Sequence, residues 1–147
     1  MQTIAEIMTR DVISVSPQDT VRRAAQIMKE TNIGALPVCD GQRLVGMITD
    51  RDIAIRAAAA GNEPDDTRIE EVMSEDVLHC FDNQSVDEVL QDMGDLQVRR
   101  VPVLDHETQM LIGIVAFADL AQRDVEDTEK TLKEVSAPTE RDHRPAM

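Results

Sequence analysis

Hydrophobic residues recur along this chain in two periods, and together they predict a succession of strands and helices. The short apolar run at 12–15 favours a β-strand. The next apolar positions have the i, i+3, i+4, i+7 spacing of an amphipathic helix: Val21, Ala24, Ala25 and Met28. Two further apolar runs, 35–39 and 44–49, flank Asp40-Gly41, a dipeptide typical of hairpin turns. A second helix is expected to begin at Asp50 and to end at Gly61.

The same order, β-α-β-β-α, returns in the second half of the chain. An offset of 65 aligns the sequence with itself, for example Met8 with Met73, Met28 with Met93 and Pro37 with Pro102. The offset becomes 67 after the predicted hairpin turn, so that Gly46 aligns with Gly113 and Asp52 with Asp119. An alignment whose offset changes only once, and within a turn, indicates internal duplication. We expect one repeat at 1–64, a second at 65–123 and a polar tail at 124–147.

Two alternatives stay open for the tail. Ala121, Val125, Thr128, Leu132 and Val135 form a weak heptad-like stripe, which favours a helix to about Val135 that packs on a neighbour. A solvated polar tail is the other interpretation, and residues 137–147 are expected to be disordered.

Composition narrows the class of partner. The net charge of −14 and the presence of only two aromatic residues argue against binding to nucleic acid or anionic membranes. The sequence shows no secretory signal and no apolar run near the roughly 20 residues of a membrane span, so a cytoplasmic protein is expected. Cys39 and Cys80 lack metal or redox spacing, and no catalytic motif is visible, so we expect no enzyme and no required cofactor or metal.

The repeated segments resemble a known family. Ile7-Met8-Thr9, Gly34-Ala35-Leu36-Pro37-Val38 and Gly46-Met47-Ile48-Thr49-Asp50-Arg51-Asp52 are similar to the CBS repeat, named after cystathionine β-synthase. Arg99-Arg100-Val101-Pro102-Val103 and the segment from Gly113 to Asp119 resemble the same repeat. The resemblance covers about residues 3–123.

The resemblance implies a mixed α/β (α+β) fold, a Bateman module of tandem CBS repeats packed through small sheets about a pseudo-twofold axis. It also implies a regulatory function. Family members bind AMP, ADP, ATP or S-adenosylmethionine in clefts between the repeats, often pair into a homodimer, and regulate a protein partner, which the sequence does not name.

The family's ligand motif, Gly-hydrophobic-x-Ser/Thr-x-x-Asp, is matched by Gly46, Thr49 and Asp52. The glycine permits close backbone approach, a helix N-terminus offers free N–H groups to phosphate, and the carboxylate can accept from ribose hydroxyls. Thr49 and Asp52 also fit an ordinary helix-capping pattern, and this alternative stays open.

The second copy keeps Gly113 and Asp119 but has Ala116 in place of Ser/Thr. In the composite clefts that the resemblance implies, Asp119 faces an adenine wall of Ile33, Gly34 and Ala35, and Arg99 and Arg100 approach the phosphates. Arg51 is the nearest candidate cation of the other cleft. Arg99 and Arg100 could instead pair with Asp92 or Asp95.

Two functions therefore remain. The leading one is a non-catalytic module that binds an adenosine-type ligand. The alternative is a ligand-free CBS scaffold for dimerisation or protein interaction, favoured by Ala116 and by the stripe in the tail.

Overall fold

The computed structural model describes residues 2–122, which form parts of two compact units. The first unit comprises Asp11–Leu78 and Gln109–Leu111. The described part of the second unit joins residues 2–10 to His79–Thr108 and to residues 112–122. The predicted tail at 124–147, with its helix to Val135, lies outside the described residues.

The predicted order of elements is found in both halves, except that the first strand predicted for the first half is reduced to a single bridge. In chain order, the described elements are α1 (Ile4–Ile7), α2 (Val21–Thr31), β1 (Ala35–Asp40), β2 (Arg43–Thr49), α3 (Asp50–Asp52), β3 (Cys80–Phe81), α4 (Val86–Leu96), β4 (Arg100–Leu104) and β5 (Leu111–Ala116). The turn α3 continues as a π-helix over Ile53–Ala58, a 3-10 helix covers Ile69–Glu71, and residues 117–122 are helical.

The first unit is built on the predicted hairpin. Strands β1 and β2 are antiparallel from the pair Ala35 and Thr49 to the pair Asp40 and Arg43, and Gly41 takes the positive φ of 64° that its turn requires. The strand predicted at 12–15 is reduced to one parallel bridge between Val15 and Val38, because within that run only Val15 is buried.

Helix α2 packs on this hairpin as its apolar stripe predicts. The hydroxyl of Thr20 accepts from the N–H of Arg23 at 3.2 Å and caps the helix. Val21, Ala24 and Met28 of the predicted stripe are buried, whereas Ala25, also predicted for the stripe, is exposed. The three buried residues join the strands in one cluster: Val15, Val21, Ala24, Met28, Leu36, Val38, Ile48, Ala57, Ile69 and Val72.

The second unit repeats this plan around the sheet order β3-β4-β5, with β3 parallel to β4. Ser85 caps α4 by accepting from the N–H of Glu88 at 3.2 Å. The carboxylate of Glu88 accepts from the side chain of Gln84.

Each unit also contains the segment that begins the other sequence repeat. In the second unit, Ile4 donates to the carbonyl oxygen of Gln84 at 2.9 Å and Thr9 forms a bridge with Ile114. In the first unit, Ile69 donates to Asp19 at 2.8 Å, and Ser74 forms the matching bridge with Met47. The compact units thus group the chain differently from the repeats at 1–64 and 65–123, whose bounds stay a prediction.

Candidate functional site

The junction between β2 and α3 holds the residues of the predicted ligand motif. Thr49 is extended, with φ −117° and ψ 162°, and the chain turns into the helix directly after it. Its hydroxyl accepts from the N–H of Asp52 at 3.0 Å, and the Asp52 carboxylate accepts from the N–H of Thr49 at 3.0 Å. The capping alternative is therefore what the structure contains at this junction.

The N–H groups of the first helical turn are already paired within the first unit. They donate as follows: Asp50 to the carbonyl of Gly34 at 2.9 Å, Arg51 to Oδ1 of Asp50 at 2.8 Å, Asp52 to Oγ1 of Thr49 at 3.0 Å, and Ile53 to the carbonyl of Asp50. The expectation that this helix N-terminus offers free N–H groups to phosphate is wrong, because two of these groups donate to side chains and two to backbone carbonyls.

The carboxylate of Asp52 keeps acceptor capacity despite its part in the cap. Asp52 is 9% exposed, and its Oδ2 receives the bond from Thr49. Its Oδ1 lies 3.8 Å from Nε of Arg56, a loose ion pair. Because a carboxylate offers about four lone-pair directions, Asp52 can cap the helix and still accept from a hydroxyl of a ligand.

Sequence reasoning missed Arg56. Its guanidinium donates to the carbonyl oxygens of Val72 at 3.4 Å and Met73 at 3.3 Å, so it ties the junction to the segment that follows Ile69. The only signal in the sequence was its position four residues after Asp52, which favours an ion pair on one helix face.

The glycine of the motif serves packing inside the first unit. A Cβ at Gly46 would lie 2.7 Å from the carbonyl oxygen of Ser74 and 3.0 Å from Sδ of Met73. The close approach that the glycine was predicted to permit therefore occurs, and the group that approaches is the backbone of Ser74.

The predicted adenine wall lies beside this junction. Gly34 is exposed, Ile33 and Ala35 are half-buried, and the Gly34 carbonyl accepts from Asp50. A Cβ at Gly34 would lie 2.8 Å from Oδ2 of Asp50, so the Asp50 carboxylate covers this glycine. Arg51 is exposed on the same turn.

The second unit has an equivalent junction with different side chains. Phe117 donates to the carbonyl oxygen of Arg99 at 2.6 Å, as Asp50 does to Gly34. Ala116 carries no hydroxyl to form a cap, and Asp119 is exposed where Asp52 is buried. In the second unit, where Ala116 replaces the hydroxyl residue of the motif, the carboxylate of Asp119 thus lies in solvent.

The two arginines at the start of β4 differ in exposure. Arg99 is exposed and Arg100 is half-buried. Among the ion pairs of residues 2–122, neither forms the alternative pairing with Asp92 or Asp95. Both guanidinium groups remain candidates for a ligand anion.

The described part of the chain lacks a metal site and a membrane span, and its two cysteines are buried. Within residues 2–122, no three His, Cys, Asp or Glu side chains gather as a metal site would need. Cys39 and Cys80 are free and buried, and burial raises the pKa of both thiols, that of Cys80 to about 12. Among these residues there is also no helix with the length and apolar character of a membrane span.

Comparison with known proteins gives one family. The model of the CBS domain matches residues 4–58 and 69–126. The CBS domain-containing protein YhcV of Bacillus subtilis is 42% identical over 121 residues, which span 82% of this chain and 84% of YhcV. Hypoxic response protein 1 of Mycobacterium tuberculosis is 43% identical over 123 residues, spanning 83% of this chain and 85% of that protein.

Solved structures give the same fold. A crystal structure of hypoxic response protein I with two coordinated zinc ions has a TM-score of 0.74 and covers 82% of this chain and 98% of that one. The CBS domain pair of protein MJ0100, in complex with 5′-methylthioadenosine and S-adenosylmethionine, has a TM-score of 0.73 at 29% identity. It covers 86% of this chain and 98% of that one.

Proposed function

The chain belongs to the CBS domain family, and on this premise we propose that it is a non-catalytic regulatory module that binds an adenosine-type ligand. AMP, ADP, ATP and S-adenosylmethionine are the candidate ligands, and no cofactor is required. The observation that carries the proposal is the junction at Thr49 and Asp52, where the capping box holds a nearly buried carboxylate in one orientation.

A carboxylate held in this way suits recognition of a ribose. Two adjacent hydroxyls can donate to one carboxylate, and the cap fixes the acceptor before the ligand arrives, which lowers the entropy cost of binding. The MJ0100 pair supports the ligand class, since it was crystallised with two adenosine compounds. The adenine wall of Ile33, Gly34 and Ala35 stays as the resemblance implies, and Arg51, exposed on the same turn as Asp52, would supply a cation.

A second, weaker site is proposed at Asp119. Arg99 precedes β4 and Arg100 begins it, in the same unit, and the carbonyl of Arg99 accepts from Phe117 at the junction. These arginines would pair with a phosphate group. The missing hydroxyl at Ala116 removes one contact, so we expect lower affinity here than a complete motif would give.

Calorimetric titration of the full chain with AMP, ADP, ATP and S-adenosylmethionine tests the proposal. We expect at least one of them to bind with a dissociation constant in the micromolar range, about −8 kcal/mol. Asp52→Ala is expected to weaken binding at the first junction, and Asp119→Ala at the second. If none of the four binds up to millimolar concentration, the proposal is wrong.

A matched control separates loss of a ligand contact from loss of the helix cap. Thr20→Val removes a cap of the same unit that lies outside the ligand motif, and it is expected to lower stability without changing affinity. A ligand at 100 times its dissociation constant stabilises the fold by about 2.7 kcal/mol, which a melting experiment detects. The parent and the Thr20→Val variant are expected to show the same ligand-induced gain.

The alternative function is a ligand-free scaffold for dimerisation or protein interaction. Ile55, on the π-helix, is 56% exposed, and Leu96, at the end of α4, is 61% exposed. In a scaffold of this kind, contact with another chain would cover these two side chains. A homodimer that forms without any nucleotide effect on its melting temperature would support the scaffold over the ligand-binding module.

The proposed partners and location of the protein follow from its membership of the CBS domain family. A regulated protein partner and a homodimer are proposed on the behaviour of the family, and neither nucleic acid nor membrane is proposed, given the charge of −14. A cytoplasmic location stays a prediction, and the two free cysteines agree with a reducing compartment.

A further inference from the structure

Arg56 lies between the carboxylate of Asp52 and a main-chain segment further along the chain. Its Nε is 3.8 Å from Oδ1 of Asp52, and its Nη1 donates to the carbonyl oxygens of Val72 at 3.4 Å and Met73 at 3.3 Å. A guanidinium carries five donors in one rigid plane, so different nitrogens of the same group can serve both sides at once. Arg56 therefore joins Asp52 to the segment 72–74.

This segment is itself held against strand β2. Ser74 and Met47 exchange two hydrogen bonds of 2.9 Å, and a Cβ at Gly46 would lie 2.7 Å from the carbonyl oxygen of Ser74. Between Leu78 and His79 the chain passes from the first unit to the second. The segment 72–74 is thus the part of the first unit that leads into this connection.

From this arrangement we infer that Arg56 is a positioning residue of the first site. It orients the Asp52 carboxylate, and it couples the binding of a ligand there to the strength with which the segment 72–74 is held on β2. The inference rests on the proposed function, and it adds the regulation of that site. A ligand at Asp52 would thereby act on the chain that leads to the second unit.

The first argument is the geometry of the carboxylate. Oδ2 of Asp52 accepts from the N–H of Thr49 at 3.0 Å, and Oδ1 faces Arg56. With a donor at each oxygen, the remaining lone-pair directions are fixed, and the hydroxyls of a ligand meet an acceptor that is already oriented. Without the guanidinium, the bond from Thr49 would remain to orient the group. Arg56 thus acts on a ligand through Asp52.

The second argument is the form of the helix that carries Arg56. Ile53–Ala58 is a π-helix, in which the N–H of Ala59 donates to the carbonyl of Ala54 at 2.9 Å. π-helices are rare and occur frequently at functional sites. This one directly follows the cap formed by Thr49 and Asp52, so the irregular turn lies where the carboxylate and the guanidinium meet.

The third argument is that the contacts of Arg56 have room to tighten. Distances of 3.3–3.8 Å exceed the roughly 2.7–2.9 Å of a close charge-assisted hydrogen bond. The side chain is 54% exposed, so each contact alone contributes little. A ligand that fixes Asp52 removes part of the motion of Arg56, and the segment 72–74 then gains a better ordered donor. Coupling of this kind is reciprocal, so Arg56 is expected to raise the affinity for the ligand as well.

Amide hydrogen exchange of the full chain, measured without ligand, tests the bridge. The N–H groups of Ser74 and Met47 report on the segment, and that of Cys39, which donates to Val15 at 2.8 Å, is the reference within the same unit. Arg56→Gln is expected to speed exchange at Ser74 and Met47 by about three- to fivefold relative to Cys39. If the relative exchange equals that of the parent, the guanidinium does not hold the segment and the inference is wrong.

Two further variants make this test specific. Arg22→Gln breaks an exposed ion pair of the same unit, that of Arg22 and Asp65 at 3.1 Å, and it is expected to leave the relative exchange at Ser74 unchanged. Arg56→Lys keeps the charge, but a single ammonium does not span both sides, so this variant is expected to behave as Arg56→Gln does. Exchange in Arg56→Lys that matches the parent would show that charge alone acts, which also overturns the bridge.

The coupling is tested with AMP, ADP, ATP and S-adenosylmethionine as probes. Calorimetric heat that is lost in Asp52→Ala identifies a probe bound at the first site. That probe is expected to slow exchange at Ser74, relative to Cys39, by about three- to fivefold in the parent and by less than about 1.5-fold in Arg56→Gln. Its affinity is expected to be about three- to fivefold lower in Arg56→Gln.

The outcomes separate this inference from the proposed function. If none of the four probes binds, the proposed function is wrong and the coupling with it, whereas exchange without ligand still decides whether Arg56 forms the bridge. If a probe binds through Asp52 but leaves the relative exchange at Ser74 unchanged, only the inference is wrong. It is equally overturned if Arg56→Gln shows the full slowing by the probe.

Discussion

Gly46 lies directly beneath the carbonyl oxygen of Ser74, at a distance that leaves no room for a side chain. A Cβ at Gly46 would be 2.7 Å from that oxygen, and the next strand residue, Met47, exchanges two hydrogen bonds of 2.9 Å with Ser74. In the second unit, Gly113 lies in the same way beneath Met8 and Thr9. The glycine that marks the ligand motif is thus required by packing in each unit.

Gly46→Ala is therefore expected to destabilise the protein by about 1–3 kcal/mol, because the added methyl group meets a backbone oxygen that is fixed by hydrogen bonds. Gly113→Ala is expected to cost less. Its closest contact would be Sδ of Met8 at 2.5 Å, the end of a flexible side chain, and the Thr9 carbonyl is 3.1 Å away. Urea unfolding of both variants measures the difference.

Gly94→Ala is the matched control. Gly94 is exposed within α4, and a Cβ there would meet only Phe117, at 3.9 Å, an ordinary contact. Alanine at such a position is expected to stabilise the helix by about 0.5–1 kcal/mol. A loss of stability in Gly94→Ala equal to that in Gly46→Ala would contradict the packing explanation.

The features that the sequence predicts well are local. Helix α2 and the hairpin around Gly41 follow from periodicity and from turn chemistry within a few residues. The cap formed by Thr49 and Asp52 was visible as a pattern of four residues, and sequence alone left its structural and ligand-binding interpretations open. The structure shows the cap, and binding at the same carboxylate stays a proposal.

Features that depend on distant parts of the chain were not predictable. The placement of Ile4 against Gln84 and of Ile69 against Asp19 exchanges the starts of the two repeats. Both arrangements are compatible with a duplicated sequence, since each segment pairs with backbone groups at equivalent positions of either copy. Arg56 was missed for a related reason: the carbonyl oxygens that it binds lie 16 and 17 residues further along the chain.

The missing cap in the second unit can be restored by one substitution. Ala116 ends β5 at the position of Thr49, and Asp119 follows at the position of Asp52. Ala116→Thr supplies a hydroxyl that can accept from the N–H of Asp119, and we expect a gain of about 0.5–1 kcal/mol in the free energy of unfolding. Denaturant titration at neutral pH measures it.

Ala116→Val is the control for that gain, since valine has nearly the shape of threonine and no acceptor. Equal stability of the two variants would show that the introduced hydroxyl does not cap the helix. If the cap forms, the Asp119 carboxylate is drawn towards the junction, and Ala116→Thr is also expected to tighten whatever adenosine binding depends on Asp119.

The pair formed by His106 and Asp82 makes stability depend on pH. Nδ1 of His106 lies 2.8 Å from Oδ1 of Asp82, and the main-chain N–H of His106 donates to the same oxygen at 3.0 Å. The hydrogen bond to Asp82 raises the pKa of His106 above 6.5, with smaller support from Glu107 and Asp105. Burial acts to raise the pKa of Asp82, but the hydrogen bonds from His106 outweigh it and hold the value below 3.8.

The two pKa shifts define a pH range in which the pair stabilises the fold. The contribution of His106 is fully present below the unfolded pKa of about 6.5 and is lost as pH rises through the higher folded value. The contribution of Asp82 is present above its unfolded pKa of about 3.9 and is lost as pH falls through the lower folded value. Both act together between about pH 4 and pH 6.5.

Melting temperatures of the parent and of His106→Gln, measured from pH 4 to pH 9, are therefore expected to differ most near pH 5 and to converge above pH 8. The effect is small, because the His106 side chain is 42% exposed and solvent screens the pair. His79→Gln is the matched control, since the rings of His79 and Phe81 pack edge to face with their centroids 5.6 Å apart. A difference between parent and His106→Gln that stays constant across this range would show that the side chain acts by packing alone, and that its charge contributes nothing to the fold.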